Sequence, residues 1–321
     1  MPGMRYAITG ATGFLGGALA RRLREAGNEV VALVRDPARA AGLAAAGVEL
    51  VEGDLADPSA LDRLCSGADG LFHVAGWYKV GSRTPEQGHR VNVEGTRNVL
   101  EAARRNDLPR VVYTSTLAVN SDTGGRVVDE AYRFTGEHVT VYDETKAAAH
   151  DIAVEYAAEG LAVVLVMPGV VYGPGDTSQV GAMVERTAHG GRVAVPSHGG
   201  MCWAHVEDVA QGHVLAMEQG DPGAAYMLAG PRASLAEVLR LVAAIAGTRR
   251  PWTLPVPIVR ASAAASGVLG RVAPLPEDYA AESLRASLAT YLGTPARAER
   301  ELGWHARALE EGLRDTVAAL T

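Results

Sequence analysis

Short apolar runs alternate along the first half of the chain with longer segments in which apolar residues return every three or four positions. The run Tyr6-Ala7-Ile8-Thr9 predicts a strand, a glycine-rich turn follows it, and Leu15 to Ala26 carries helical spacing up to Gly27. Val30 to Val34, Val48 to Val51 and Gly70 to Val74 predict further buried strands, with Ala- and Leu-rich helical segments between them. The rhythm continues through a helix near Val91 to Asn106, a strand at Arg110 to Thr114, a helix over Tyr142 to Glu159 and a strand at Ala162 to Met167. Strands that alternate with helices need crossover connections, so the pattern predicts an α/β fold with a doubly wound parallel sheet.

After Pro168 the rhythm loosens into Gly/Pro-rich loops and short helices, and a smaller C-terminal substrate lobe is expected there. The division is 1–168 for the sheet domain and 169–321 mainly for the lobe, with about 203–230 returning to the core through a helix over His205 to Glu218. The apolar stretch from Pro255 to Pro274 is interrupted by Arg260, Arg271 and prolines, which excludes a comfortable bilayer span and reads as a surface helix or lid.

At 321 residues and 48% apolar composition, with mean hydropathy near zero, the chain can bury a sizeable core. A net charge of −7 with scattered arginines gives no basic footprint, so nucleic acid is not an expected partner. Cys65 and Cys202 are far apart and lack metal-type spacing; two buried thiols are expected, with no disulfide framework and no metal site. Met1-Pro2-Gly3-Met4-Arg5 leads directly into the first strand, which leaves no room for a secretory signal, and a cytoplasmic location is the expectation.

Thr9-Gly10-Ala11-Thr12-Gly13-Phe14-Leu15-Gly16 joins the first strand to the first helix with a Gly-x-x-Gly-x-x-Gly turn. Missing side chains let a backbone approach a pyrophosphate, and the amides of the helix N-terminus face the anion, so Gly10, Thr12, Gly13, Phe14 and Leu15 are candidate cofactor contacts. Arg35 ends the second strand where an acid would accept hydrogen bonds from the ribose of NAD, and an arginine there can grip a 2′-phosphate. It can equally pair with Asp36 or Asp57, and Asp36 can itself serve a ribose. Among 30 basic residues only Lys79 and Lys146 are lysines, and Lys146 follows Tyr142 by four positions in Tyr142-Asp143-Glu144-Thr145-Lys146. On a helix that spacing puts a phenol and an ammonium on one face, able to do acid/base chemistry together.

The glycine turn, the hydroxyls of Tyr113-Thr114-Ser115-Thr116 and the Tyr142/Lys146 pair, in this order, resemble the extended short-chain dehydrogenases/reductases of the epimerase/dehydratase superfamily. The likeness covers almost the whole chain, and it implies a Rossmann fold. The resemblance implies that Asp54 and Leu55 contact the adenine and that Val74, Ala75 and Gly76 pass beneath the cofactor. It further implies that Thr114, Ser115, Pro168, Gly169, Val170 and Val171 line the nicotinamide side, together with Tyr142 and Lys146. Thr116 holds the reacting oxygen in this reading, with Ser115 as the fallback, although a hydroxyl at either position can satisfy local backbone instead. Asn92 matches a position that orders the central helix, helix capping being the alternative. His205 and Asp208 in Trp203-Ala204-His205-Val206-Glu207-Asp208-Val209 match a signature that knits the lobes together.

Within that group, sugar-nucleotide epimerases generally place an arginine four residues before the histidine to clamp a diphosphate; this chain has Met201, with Arg192 nearby as a substitute. Val193 to Pro196, Met183, Met201 and Trp203 suggest a less polar pocket. His73-Val74-Ala75-Gly76-Trp77-Tyr78 and Leu33-Val34-Arg35-Asp36-Pro37 look like the dihydroflavonol-reductase branch. The expectation is an oxidoreductase that uses NADP, with NAD as the other cofactor, to reduce a small-molecule ketone or aldehyde; the alternative is a nucleotide-sugar epimerase or dehydratase. A free phenol with a pKa near ~10 becomes a proton-transfer group when a neighbouring ammonium and an oxidised nicotinamide stabilise its phenolate. The resemblance also implies a homodimer through the helices near Val91 to Arg105 and Tyr142 to Ala158.

Overall fold

The computed structural model describes residues 3–81, 84–269 and 280–320. Six strands follow in chain order: β1 Arg5–Thr9, β2 Glu29–Val34, β3 Glu49–Glu52, β4 Gly70–His73, β5 Val111–Thr114 and β6 Val163–Pro168. With the later strand Ala225–Leu228 they form one seven-stranded sheet in the order Ala225–Leu228, β6, β5, β4, β1, β2, β3, and every neighbouring pair is parallel. The chain runs outward from β1 to β3, then returns to β4 and runs the other way. The reversal therefore lies between β1 and β4, where a crevice opens at the carboxyl ends of the strands.

Alternation along the strands sends side chains to two cores. Tyr6, Ile8, Phe72, Val112 and Val164 face α1 (Phe14–Glu25) and the helix Val206–Gln219, which pack on one another. Ala7, Leu71, Val111, Tyr113 and Leu165 face the helices Pro58–Cys65, Gly95–Arg105 and Val141–Ala158. Both sides of the sheet are covered, which is why its strands read as near-continuous apolar runs. Cys65 and Cys202 are free and buried.

The C-terminal lobe has a core of its own around Trp203, Val195, Val184, Leu239 and Leu313. It is fastened to the sheet by Asp208, whose carboxylate accepts three hydrogen bonds from the Arg307 guanidinium nitrogens at 2.7 to 3.1 Å, while its carbonyl accepts from Trp304 Nε1 at 2.7 Å. His205 caps the helix Val206–Gln219 by accepting from the Glu207 amide at 3.3 Å. Asp208 of that sequence signature thus joins distant parts of the fold, whereas His205 caps its own helix.

The apolar stretch expected to be a surface helix or lid forms the helix Val256–Leu269; its remainder, 270–274, lies outside the described residues. No described helix is long and apolar enough to cross a membrane.

Candidate active site

The glycine turn sits where β1 ends. Gly10 has φ +80°, and a Cβ there would lie 2.6 Å from the Ala75 amide nitrogen; a Cβ on Gly16 would lie 2.1 Å from the Gly10 carbonyl oxygen. Only glycine permits the segment after β4 and the start of α1 to close on this turn. Gly13 caps α1 without a side-chain hydrogen bond, and no acidic residue occupies the first turn. Thr12 and Gly13 are exposed. The N-terminal amides of α1 therefore face outward with no side chain of their own to satisfy them, which is the arrangement a pyrophosphate requires. The cradle fits a dinucleotide.

Arg35 is exposed at the end of β2 and has neither an ion pair nor a hydrogen bond among the described residues, so pairing with Asp36 or Asp57 does not occur. Asp36 instead caps the turn Pro37–Ala40, accepting from the Ala38 amide at 3.0 Å and the Arg39 amide at 3.4 Å. Asp54 is exposed and accepts from the Ala56 amide at 3.1 Å; Leu55 packs under Gly95. After β4, the Val74 amide donates to the Thr9 carbonyl at 3.2 Å and the Ala75 amide to Thr9 Oγ1 at 3.3 Å, which draws this segment across the turn.

Asn92 is not a helix cap. It lies in the π-helical turn His89–Glu94, with 1% exposure, where its Oδ1 accepts from the Trp77 amide at 2.7 Å and its Nδ2 donates to the Trp77 carbonyl at 2.9 Å and to Thr145 Oγ1 at 3.0 Å. It clamps the loop after β4 to the helix that carries Tyr142 and Lys146.

That helix, Val141–Ala158, starts at Thr140, whose Oγ1 accepts from the Asp143 amide at 3.0 Å. Tyr142, Lys146 and His150 follow at intervals of four and mate with the end of β5. The Tyr142 phenol faces Thr116, whose side chain acts on its proton affinity. Lys146 Nζ donates to the Thr114 carbonyl at 2.7 Å and to the Tyr113 hydroxyl at 3.0 Å. His150 Nδ1 and Ser115 Oγ are 2.8 Å apart. Thr116 Oγ1 also accepts from the Ala118 amide at 3.2 Å, so the catalytic and the local reading of that hydroxyl coexist. Ser115 is engaged by His150, and the Thr114 side chain meets His213 Nε2 at 2.9 Å, leaving Thr116 as the strand-end hydroxyl that meets the phenol.

Electrostatics here are set by burial. Desolvation pushes Tyr142 up to about 12, against the hydrogen bond from Thr116, which lowers it, and with Asp143, which raises it. Lys146 is not among the groups that shift the phenol, and removal from water sets the direction. Desolvation brings Lys146 down to about 7. Asp143, buried beside Tyr142 in sequence, is raised to about 7 by desolvation, although Thr140 and Tyr291 both donate to it. Tyr291 reaches Asp143 Oδ2 at 3.0 Å and Glu282 Oε1 accepts from the Val141 amide at 2.7 Å, so the C-terminal lobe grips the first turn of this helix.

Trp203 is fully buried in the lobe core beside Val195, with its Nε1 donating to the Ala233 carbonyl at 2.9 Å, and Met183, Met201 and Val193 pack half-buried against that core. Arg192 is exposed with its guanidinium 5.9 Å from the Trp252 ring centroid and does not take the place of the missing arginine. Gly169 closes on the Cys202 carbonyl, where a Cβ would lie 2.2 Å away, and Pro168 ends β6. Val170 packs toward the lobe core and Val171 toward the sheet, which leaves their backbone as the part that can face a ligand.

Two surface cavities, of about 370 and 600 Å³, are lined by residues of the C-terminal lobe and the sheet edge, His150 among them, and include neither Tyr142, Lys146 nor the glycine turn. Chemistry, not volume, locates the site. Sequence reasoning missed His150, the third member of the four-residue spacing, and Thr96, which reads as an ordinary core position. Among the described residues no group of three or more His, Cys, Asp or Glu could hold a metal ion.

Residues 6–229 match the model of the NAD dependent epimerase/dehydratase family. A Synechocystis protein bearing the provisional name dihydroflavonol 4-reductase is 32% identical over 97% of this chain and 93% of its own length. A Stigmatella aurantiaca protein named 4-hydroxy-2-methyl-3-oxo-4-farnesyl-3,4-dihydroquinoline-1-oxide ketoreductase is 32% identical over 95% of this chain and 92% of its own. The crystal structure of gox2253 superposes with a TM-score of 0.84 at 32% identity, covering 98% of this chain and 97% of that one. Glycine cradle, strand-end hydroxyls and Tyr/Lys helix thus stand in a frame shared along nearly the full length, and the chain belongs to the NAD dependent epimerase/dehydratase family as an enzyme of the extended short-chain dehydrogenase/reductase type.

Proposed function

We propose that the protein is an NADP-preferring reductase of a ketone or aldehyde, with NAD as the weaker cofactor, and that Tyr142, Lys146 and Thr116 perform the proton chemistry. One observation carries this reading: a buried lysine held to the Thr114 carbonyl at the end of β5, with a phenol one helical turn before it that faces Thr116, at the carboxyl ends of the strands beside a glycine cradle that has no side-chain cap. The reductase names of the full-length relatives support it.

The nicotinamide cofactor, when bound, supplies the hydride. Gly10, Thr12, Gly13, Phe14 and Leu15 hold the pyrophosphate, Asp54 and Leu55 the adenine, and unpaired Arg35 the 2′-phosphate. Val74 to Gly76 form the floor, and the backbone from Pro168 to Val171 lines the nicotinamide side together with Thr114 and Ser115. Two N–H groups of Lys146 are taken by Tyr113 and Thr114, and the third is left for the nicotinamide ribose. Thr116 Oγ1 holds the substrate oxygen. A phenol raised to about 12 keeps its proton at neutral pH, which is the state needed to protonate that oxygen as the carbonyl is reduced. Arginine at 146 would be bulkier and permanently charged, and would fit this buried seat badly.

The substrate is a small carbonyl compound without a diphosphate, because Met201 belongs to the lobe core and Arg192 stacks on Trp252. We place the enzyme in the cytoplasm as a homodimer joined through the helices Gly95–Arg105 and Val141–Ala158, with the sheet domain at 1–168 and the substrate lobe at 169–321 apart from the returning segment. The test mixes purified protein with NADPH and a panel of apolar ketones and aldehydes, and separately with UDP-glucose. Carbonyl-dependent NADPH oxidation, lost in Tyr142→Phe with NADPH binding intact, is expected; epimerisation of the sugar nucleotide without net cofactor consumption would overturn the reading.

A further inference from the structure

The helix Val256–Leu269 presents an apolar face outward. Through Gly267, Val259 and Ala263 are its buried positions, with Val256 and Ser266 half-buried on the same side, whereas Pro257, Ile258, Ala261, Ala264 and Ala265 are exposed. A surface helix ordinarily turns charges to that side, but Arg260 is the one charged residue in this helix. Ile258 is 52% exposed, and Trp252, in the strand that feeds the helix, is 66% exposed. Both belong to an ordered frame: Trp252–Leu254 pairs with Ala194–Pro196, and the Ile258 and Val259 amides donate to the Pro255 carbonyl at 3.0 and 3.2 Å.

Positive charge accompanies these apolar side chains. Trp252 follows Arg249-Arg250-Pro251 in sequence, and the Arg192 guanidinium stands over its ring. Arg192, Arg249, Arg250 and Arg260 are all exposed, and among the described residues none of the four is engaged by a carboxylate. From Val238 to Leu269 the chain holds no Asp or Glu, although its net charge is −7. An exposed tryptophan and isoleucine among unneutralised arginines, on a chain that is acidic elsewhere, call for a ligand that is both anionic and apolar.

We propose that this face of the C-terminal lobe docks on an anionic lipid surface. The indole sits at the level of the headgroups, the guanidinium groups donate to lipid phosphates, and Ile258 with the alanine face of the helix meets the acyl boundary. A helix of 14 residues is about 21 Å long and too short to cross a hydrocarbon core of about 30 Å, so it lies along the surface. A second copy of the chain fits less well: a two-fold contact sets the patch against itself, which brings four arginines to face the same four with no carboxylate between them. The inference stands apart from the reductase reading, since it requires neither cofactor nor turnover and uses no residue of the catalytic or cofactor set.

The test is sedimentation of the purified protein with vesicles of phosphatidylglycerol and phosphatidylcholine, and with vesicles of phosphatidylcholine alone. Of the four tryptophans, Trp77, Trp203 and Trp304 are buried, so a blue shift of the emission on binding reports Trp252 entering the interface. Binding to the anionic vesicles is expected to exceed binding to the neutral ones by about tenfold or more, and to be lost as added salt shortens the screening length. Arg249→Gln combined with Arg250→Gln should weaken it roughly twentyfold, at about fivefold for each charge. Ile258→Ser and Trp252→Ser should each weaken sedimentation with urea midpoints unchanged, because both side chains already face water in the free protein. Absence of sedimentation with anionic vesicles, equal binding to neutral ones, or variants that bind as the parent does would overturn the proposal. So would a concentration-dependent association of copies that Ile258→Ser disperses, since the face would then belong to a second copy.

Discussion

Asn92 Nδ2 donates to Thr145 Oγ1 at 3.0 Å, one residue before Lys146, and to the Trp77 carbonyl at 2.9 Å, while Oδ1 of the same amide accepts from the Trp77 backbone N–H at 2.7 Å. One side chain thereby fixes the loop after β4 to the helix that bears the Tyr/Lys pair. Asn92→Leu removes three hydrogen bonds in a buried place, at a cost of roughly 1–3 kcal/mol for each group left without a partner. The urea midpoint is expected to fall, and kcat to fall with little change in cofactor KM. An unchanged midpoint would show that the loop and helix are held otherwise.

At the glycine turn the constraint is steric. Gly16→Ala would set a methyl group 2.1 Å from the Gly10 carbonyl oxygen, and that atom is backbone, so the start of α1 must move. NADPH binding, followed by the change in its fluorescence, is expected to weaken by tenfold or more, while Gly42→Ala, where nothing lies within 4 Å, serves as a silent control.

Cofactor choice turns on Arg35, since Asp36 is engaged in capping the next turn. Arg35→Ser is expected to cut kcat/KM with NADPH roughly tenfold to a hundredfold and to leave NADH nearly unaffected, the scale of one charge-assisted hydrogen bond. Equal losses with both cofactors would place the arginine outside the 2′-phosphate site.

Stability should fall in acid. Burial brings His73 down to about 3 and His150 and His213 to about 4, from 6.5. Between 6.5 and those values the unfolded chain binds protons that the native chain refuses, so unfolding is favoured as pH falls through that window and the effect levels off below it. Asp143 works the other way between 3.8 and about 7, where the native state holds the extra proton, so it offsets part of the loss. His150→Gln is expected to flatten the acid limb of a urea-midpoint profile by about 3 kcal/mol at most. Lys146 adds a rise in stability from about pH 7 to 10.5, because the unfolded lysine binds the proton that the native one loses. Lys146→Met should abolish that rise.

The sequence alone determined the order of strands and helices, the parallel sheet and the Tyr142/Lys146 spacing, because these follow from local period: two for a strand, about 3.6 for a helix, and glycine where backbone must approach backbone. It also kept the reader from a diphosphate clamp through Met201. The tertiary structure decided what depends on a partner distant in sequence. Whether Asn92 capped a helix or clamped a loop rested on Trp77 and Thr145, and whether Trp203 lined a pocket or filled a core rested on Val195, Leu239 and Leu313. Arg35 has no partner among the described residues because Asp36 turns into its own cap. Thr9, His73 and Tyr113 came to stand in one row when register set three separate strands side by side, since proximity across a sheet is fixed by chain pairing and no local period encodes it. The protonation of Tyr142 and Lys146 belongs to the same class, because removal from water is a property of everything packed around a side chain.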